Sequence, residues 1–211
     1  MKKHSQKAIC LMKYLMVQTS PVLVGVKPAV LMGLCDTERC CGVNFLDLWK
    51  KENPDVIKNL GLSYRELKTT LRGKQILFFN SDKLQEVLSV RDNAEFLKRF
   101  GYFSCASAKD YLDVLEMRFN GQNFPHEIGV FLGYPLKDIK GFIYKGSKPL
   151  VATTRWKIFG DPAVSLKLMK LHEQAESIFK QLMEKVKDPM RFLDKLTMYF
   201  QSKYELSIIF A

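Results

Sequence analysis

The sequence predicts an α/β domain: a small, mainly parallel sheet of three to four strands wrapped by many helices, with a helical extension at the C-terminus. Three observations carry this. Short β-branched or aromatic runs alternate with stretches of helical periodicity, the pattern of βα units. Only Val22–Val26, Ile76–Phe79 and Trp156–Phe159 read clearly as strands, so helices dominate. With 211 residues, 47% hydrophobic and 12% aromatic, the chain can bury a full core and is too apolar to be disordered.

Taken in order, Ile9, Met12, Leu15 and Met16 recur at helical spacing and predict an N-terminal helix with one apolar face. Val22, Leu23, Val24 and Val26 then read as a buried strand, and Lys27-Pro28 as the start of a helix, with proline at its first position. Asn44 is placed to cap a helix over Phe45–Asn53 that Pro54 stops. Ser63, with Glu66 three residues on, matches a capping box ahead of a helix over residues 64–72. Gln75–Asn80 reads as the clearest strand, and helices are expected from Ser81, around Asn93–Phe100 and over Ala108–Phe119. A further strand lies within Ala152–Asp161, and two helices follow at about Pro162–Val186 and Met190–Tyr204. The domain is expected over residues 1–187, with residues 188–211 as the helical extension divided off at Asp188-Pro189. The final YELSIIFA is too apolar for a free tail and is expected to pack or pair.

The charge excess is +11, from 33 basic and 22 acidic residues. It points to anionic partners and to easy solubility, and says nothing of the fold. The five cysteines are odd in number in a long chain, which argues against a disulfide framework. Cys35, Cys40 and Cys41 lack the paired spacing of a structural zinc site, so no metal is expected and Cys10 and Cys105 read as ordinary thiols. The basic start MKKHSQK before an apolar run imitates a signal peptide, but Lys13 interrupts the run; with no uncharged stretch of about 18 residues, the expectation is a cytoplasmic protein.

The segment NFPHEIGVFLGYPLKDIKGFI concentrates the chemistry. Pro125 suits a first helical turn, Gly133 a left-handed helix end and Pro135 a second start, so two short helices meet at a tight corner. Three readings follow. A DNA-reading helix-turn-helix would need base-reading side chains, where the second helix offers only Lys137, Asp138 and Lys140. A catalytic corner would use His126 as acid or base with Glu127 as its partner, although neighbouring helical residues diverge by about 100°. A structural corner would pair Glu127 with a basic side chain. A lone His-Glu lacks the second histidine of an HExxH zinc site.

FPHEIGVFLGYPLKDIKGFI, followed by RWKIFGD and preceded by PVLVGVKPAVL, resembles the bacterial family catalogued as domain of unknown function 3793, over roughly Ile9 to Leu171. The resemblance implies no activity; it marks Lys27-Pro28, His126-Glu127 and Trp156–Asp161 as signature positions. Lys27, read between a strand and a helix, would sit where α/β folds hold anions. Asp161 has the same setting, with helix capping as its structural alternative. Tyr134 and Trp156 are candidate ligand-facing aromatics whose alternative is a place in the core. The expected ligand-binding set is therefore Lys27, Tyr134, Trp156 and Asp161, the catalytic candidates are His126 and Glu127, and the cofactor is unknown. Nucleotide-binding and nucleophile motifs such as GxGxxG, the P-loop and GxSxG are missing, so enzyme status stays open. Two functions remain: binding of a small anion at the strand-to-helix turn, or docking of an acidic protein or nucleic acid on a basic face. From Lys137 to Arg191 there are 12 basic and 6 acidic residues, in favour of the second.

Overall fold

The computed structural model describes residues 6–38, 42–51, 60–146, 148–187, 189 and 192. In chain order these form α1 (Gln6–Leu23), β1 (Ala29–Cys35), α2 (45–51), β2 (Ser63–Thr70), β3 (Gly73–Phe79), α3 (Ser81–Ser89), α4 (Arg91–Lys98), α5 (Ala108–Phe119), α6 (Ile128–Phe131), α7 (Leu136–Ile143), β4 (Leu150–Thr153), β5 (Lys157–Phe159) and α8 (Ala163–Lys185). The cap at Asn44 is as read: its Oδ1 accepts from the Leu46 and Asp47 amides.

The expected mainly parallel sheet is corrected to an antiparallel one. Strands order β1-β3-β2, and both neighbouring pairs run antiparallel. Two misread segments account for the difference. Residues 64–72 were expected to be helical; instead Ser63–Thr70 is a strand, joined to β3 by the two-residue loop Leu71-Arg72. A loop that short can join only antiparallel strands. The apparent capping box is a coincidence of spacing. Glu66 instead accepts from the Trp49 indole at 2.8 Å and pairs with Lys74, so contacts distant along the chain override local helix preference.

The second misreading is at the start. The apolar run Val22–Val26 is not a strand; Val22 and Leu23 complete α1 and the rest is its terminal turn, closed by Gly25 at φ 75°. Pro21 lies inside this helix and cannot donate to the Val17 carbonyl, but the Ser20 hydroxyl does so at 2.7 Å. Pro28 consequently opens no helix and immediately precedes β1. Lys27 therefore occupies a helix-to-strand connection, and the helix N-terminus that made it an anion site on paper is not there.

Trp156–Phe159 does not join the main sheet either. β4 and β5 form a separate two-stranded antiparallel sheet. It lies on α7, where Gly141 lets the Phe159 ring approach so closely that any Cβ would overlap it.

The main sheet is buried on both faces. Met32, Leu34, Ile76 and Phe78 point to one side, into a core with α1, α2 and Phe179 and Met183 of α8. Leu67, Leu77 and Phe79 point to the other, into a core with α3 to α7. The result is a helix–sheet–helix sandwich, in which each strand alternates between two apolar layers. The expected helix at Met190–Tyr204, the terminal YELSIIFA, the stop at Pro54, Cys40 and Cys41, and the 188–211 extension except Pro189 and Phe192 lie outside the described residues.

Candidate functional site

The corner between α6 and α7 turns at Gly133 and α7 follows Pro135, as read, but α6 starts only at Ile128, so Pro125 opens no helix and His126 and Glu127 form a turn ahead of it. Gly133 takes φ 73°, and the next residue, Tyr134, projects toward the β4–β5 hairpin. There it stacks on Trp156, with centroids 4.5 Å apart and planes 18° from parallel. On Tyr134 lies the Lys27 ammonium, 5.2 Å from the ring centroid. Three of the four residues expected to bind a ligand therefore converge, although they come from the α1–β1 connection, the α6–α7 corner and the β4–β5 hairpin.

The centre of the arrangement is a residue that the sequence reading passed over as a ligand or site candidate. Asp138 is 2% exposed and its carboxylate is filled by donors. Oδ1 accepts from the Phe159 amide at 2.9 Å and Lys137 Nζ at 2.7 Å; Oδ2 accepts from Trp156 Nε1 at 3.0 Å and Ser165 Oγ at 2.6 Å. Burial alone would raise this acid, but the donors hold it below the ordinary aspartate range. The cluster pins α7, β5 and α8 together and sets the plane of the indole. A signal was available: Asp138 shares the inward stripe of an amphipathic helix with Ile139 and Gly141, where an acid must find partners.

Beneath the stack, His172 of α8 is 2% exposed and 6.1 Å from the Trp156 ring. It hydrogen-bonds the backbone of Val26, and burial, reinforced by the nearby Lys27 charge, brings its pKa down from 6.5 to about 4. Burial likewise lowers Lys27 from 10.5 to about 8, opposed by Glu176. Arg155 and Glu176 form a two-pronged ion pair at 2.6 and 2.7 Å beside them.

His126 and Glu127 part company, as adjacent residues must. Glu127 is 1% exposed and points inward, paired with Arg118 and accepting from the Tyr102 hydroxyl at 3.3 Å. His126 is exposed and sits between Phe124 and Phe142, at centroid distances of 5.4 and 4.9 Å. Asp161 takes no part in the cluster: its Oδ1 accepts from the Ala163 amide at 3.0 Å, at the start of α8, whose N-cap position is Pro162.

A cavity of about 350 Å³ opens between the α6–α7 corner and the β4–β5 hairpin. Tyr134, Trp156 and His126 line it, with Leu31, Ile139 and Phe142 as apolar walls and Arg155 and Lys157 as cations. Lys27, Glu127 and Asp161 are not among its lining residues. Among the described residues no group of three or more His, Cys, Asp or Glu side chains is disposed to hold a metal ion, and Cys10, Cys35 and Cys105 are free thiols. None of the described helices is long and apolar enough to cross a membrane.

Fold and cavity together define a helix–sheet–helix domain with one aromatic-walled cleft beside a buried aspartate cluster. The chain belongs to the family described as Protein of unknown function (DUF3793), which it matches over residues 15–193. No curated protein and no solved structure matches it.

Proposed function

We propose that the protein binds a small amphipathic anion, such as a medium-chain carboxylate, in the cleft between the α6–α7 corner and the β4–β5 hairpin. The observation that carries this is the mismatch between walls and charge. The walls are apolar and aromatic, while the polar side chains include His126, Arg155 and Lys157. The one carboxylate lining the cleft, Asp138, is consumed by four donors and offers nothing to a cation. An apolar body would fill the walls and an anionic head would meet Lys157 and His126. Tyr134 and Trp156 supply a rigid wall, with Lys27 supporting Tyr134 from behind. His126 is the lining group suited to proton transfer, should the bound molecule react.

Calorimetric titration with octanoate and octanol tests this. Octanoate should bind and octanol should bind at least about ten-fold more weakly, a difference of about 1.4 kcal/mol. Lys157→Ala should remove most of that preference. Equal binding of both, or of neither, sinks the reading.

A second reading is favoured by the basic excess between Lys137 and Arg191. Lys167, Lys170, Lys180 and Lys185 are all exposed along α8. Docking of an acidic protein or nucleic acid there would show as salt-sensitive retention of a mixed-sequence oligonucleotide, lost when these four lysines become glutamine.

A further inference from the structure

A second cavity, of about 500 Å³, lies on the opposite side of Phe124, which lines both. It is built differently. Its floor is the end of the main sheet, with Gly73 of β3 and with Gly33 of β1, which leaves room that a side chain would fill. Gly73 is required by the strand pairing itself, since a Cβ there would meet the Leu34 carbonyl at 2.5 Å; over Gly33 a Cβ would meet nothing within 4 Å. Sheet alternation then brings Gln75 and Lys68, which are register partners, to the same face.

The lining carries cations and no acid. Lys68, Arg72 and Lys74 border the cavity and no aspartate or glutamate does. Lys74 is paired with Glu66, but among the described residues neither Lys68 nor Arg72 lies within ion-pair distance of a carboxylate. Thr70, Gln122 and Asn123 add neutral hydrogen-bonding groups at the mouth.

Gln75 supplies the independent clue. Its side-chain carbonyl oxygen is buried and is the one such atom, among the described residues, that meets no hydrogen-bond donor. Buried acceptors are almost always satisfied, so an orphan on a residue that lines a cavity points to a donor the cavity can supply once the side chain turns toward it. An ionised oxygen cannot fill that role, because it only accepts. A hydroxyl can.

We infer that this cavity binds a phosphorylated polyol, its phosphate held by Lys68 and Arg72 and a hydroxyl donating to Gln75. The anionic group answers the two unpaired cations; the hydroxyl answers the orphaned carbonyl. The site is separate from the apolar cleft, where walls of leucine, isoleucine and phenylalanine would not accept a polyol.

Titrations of the full chain with ribose 5-phosphate, inorganic phosphate and ribose test both halves. Ribose 5-phosphate should bind at least about ten-fold more tightly than inorganic phosphate, and ribose should not bind below about 10 mM. Arg72→Ala and Lys68→Ala should each weaken both phosphates about five-fold or more. Gln75→Leu should abolish the advantage of the sugar phosphate and leave inorganic phosphate unchanged. Gln75→Glu, closer in shape, should weaken both and serves if the leucine variant fails to fold. Lys157→Ala should leave ribose 5-phosphate binding unaltered, separating this site from the apolar cleft. The proposal is overturned if ribose 5-phosphate fails to saturate, or if the Lys68 and Arg72 variants bind as the parent does. Equal loss for both phosphates in Gln75→Leu overturns the hydroxyl contact.

Discussion

The Tyr134 ring lies flat against the Trp156 indole, 4.5 Å between centroids, and the indole N–H is tied to Asp138. A stack between two separate elements keeps its geometry only while something fixes the plane of one ring. Asp138 does so, and through Phe159 and Ser165 it also ties down β5 and α8.

Asp138→Ala is therefore expected to destabilise the protein by about 3 kcal/mol, because it strands the buried Phe159 amide and the half-buried Trp156 indole N–H. Urea unfolding followed by tryptophan fluorescence measures this. A loss under about 1 kcal/mol would show that the cluster does not hold the hairpin.

Glu127 and His126 should respond oppositely to removal. Glu127→Ala leaves Arg118 and the Tyr102 hydroxyl without their acceptor and should cost about 3–5 kcal/mol. His126→Ala, on the surface, should stay within about 0.5–1 kcal/mol of the parent. Thermal unfolding of the two variants side by side is decisive, and a large loss for His126→Ala would assign the histidine a structural part.

Lys27 should make stability rise with pH on the alkaline side. Its folded pKa, about 8, lies below the ordinary 10.5, so between those values the unfolded chain binds the extra proton. Raising the pH through that window removes a penalty of up to about 3 kcal/mol. Buried tyrosines with raised pKa values act in the reverse sense above pH 10, so the clean comparison is parent minus Lys27→Met from pH 8 to 10. A difference that does not change with pH would mean the amine is solvated.

His172 should produce the matching effect in acid. Its pKa of about 4 against 6.5 means that the unfolded chain takes up the proton first, so stability falls as pH drops from 6.5 toward 4. The loss reaches up to about 3 kcal/mol. It precedes any contribution from Asp138, which is depressed below its ordinary 3.8 and is lost only at lower pH. His172→Phe should flatten the acid limb between pH 4 and 6.5 in denaturant melts; an unchanged slope would refute the assignment.

Three glycines separate backbone demands from open space. Gly141→Ala would drive a methyl into the Phe159 ring, and Gly133→Ala combines φ 73° with a clash against Pro28. Each should lower stability by about 1–3 kcal/mol. Gly33→Ala meets nothing and should be near neutral or slightly stabilising, since alanine suits a strand better than glycine. Reversal of that order in melting temperature would contradict the packing described.

By itself the sequence determined what depends on neighbours along the chain. The apolar stripe of α1, the helices α3 to α5 and α8, the strand β3 and the Gly133–Pro135 corner were all legible, because periodicity, caps and turn residues act over a few positions. The family was legible in the same corner. Tertiary structure decided the rest. Ser63–Thr70 became a strand because Glu66 and Trp49 meet across the core and a two-residue loop brings β3 alongside; that also made the sheet antiparallel. Val22 and Leu23 stayed helical because Ser20 relieves the carbonyl that Pro21 leaves. The site was half visible: Tyr134, Trp156 and His126 carry distinctive chemistry on their own. Asp138, Arg155, Lys157 and the orphaned Gln75 carbonyl do not, since a charge or an amide becomes informative only once burial and partners are known. For Asp138 and Arg155 those are properties of contacts between residues 18 to 27 positions apart, and no local pattern encodes them.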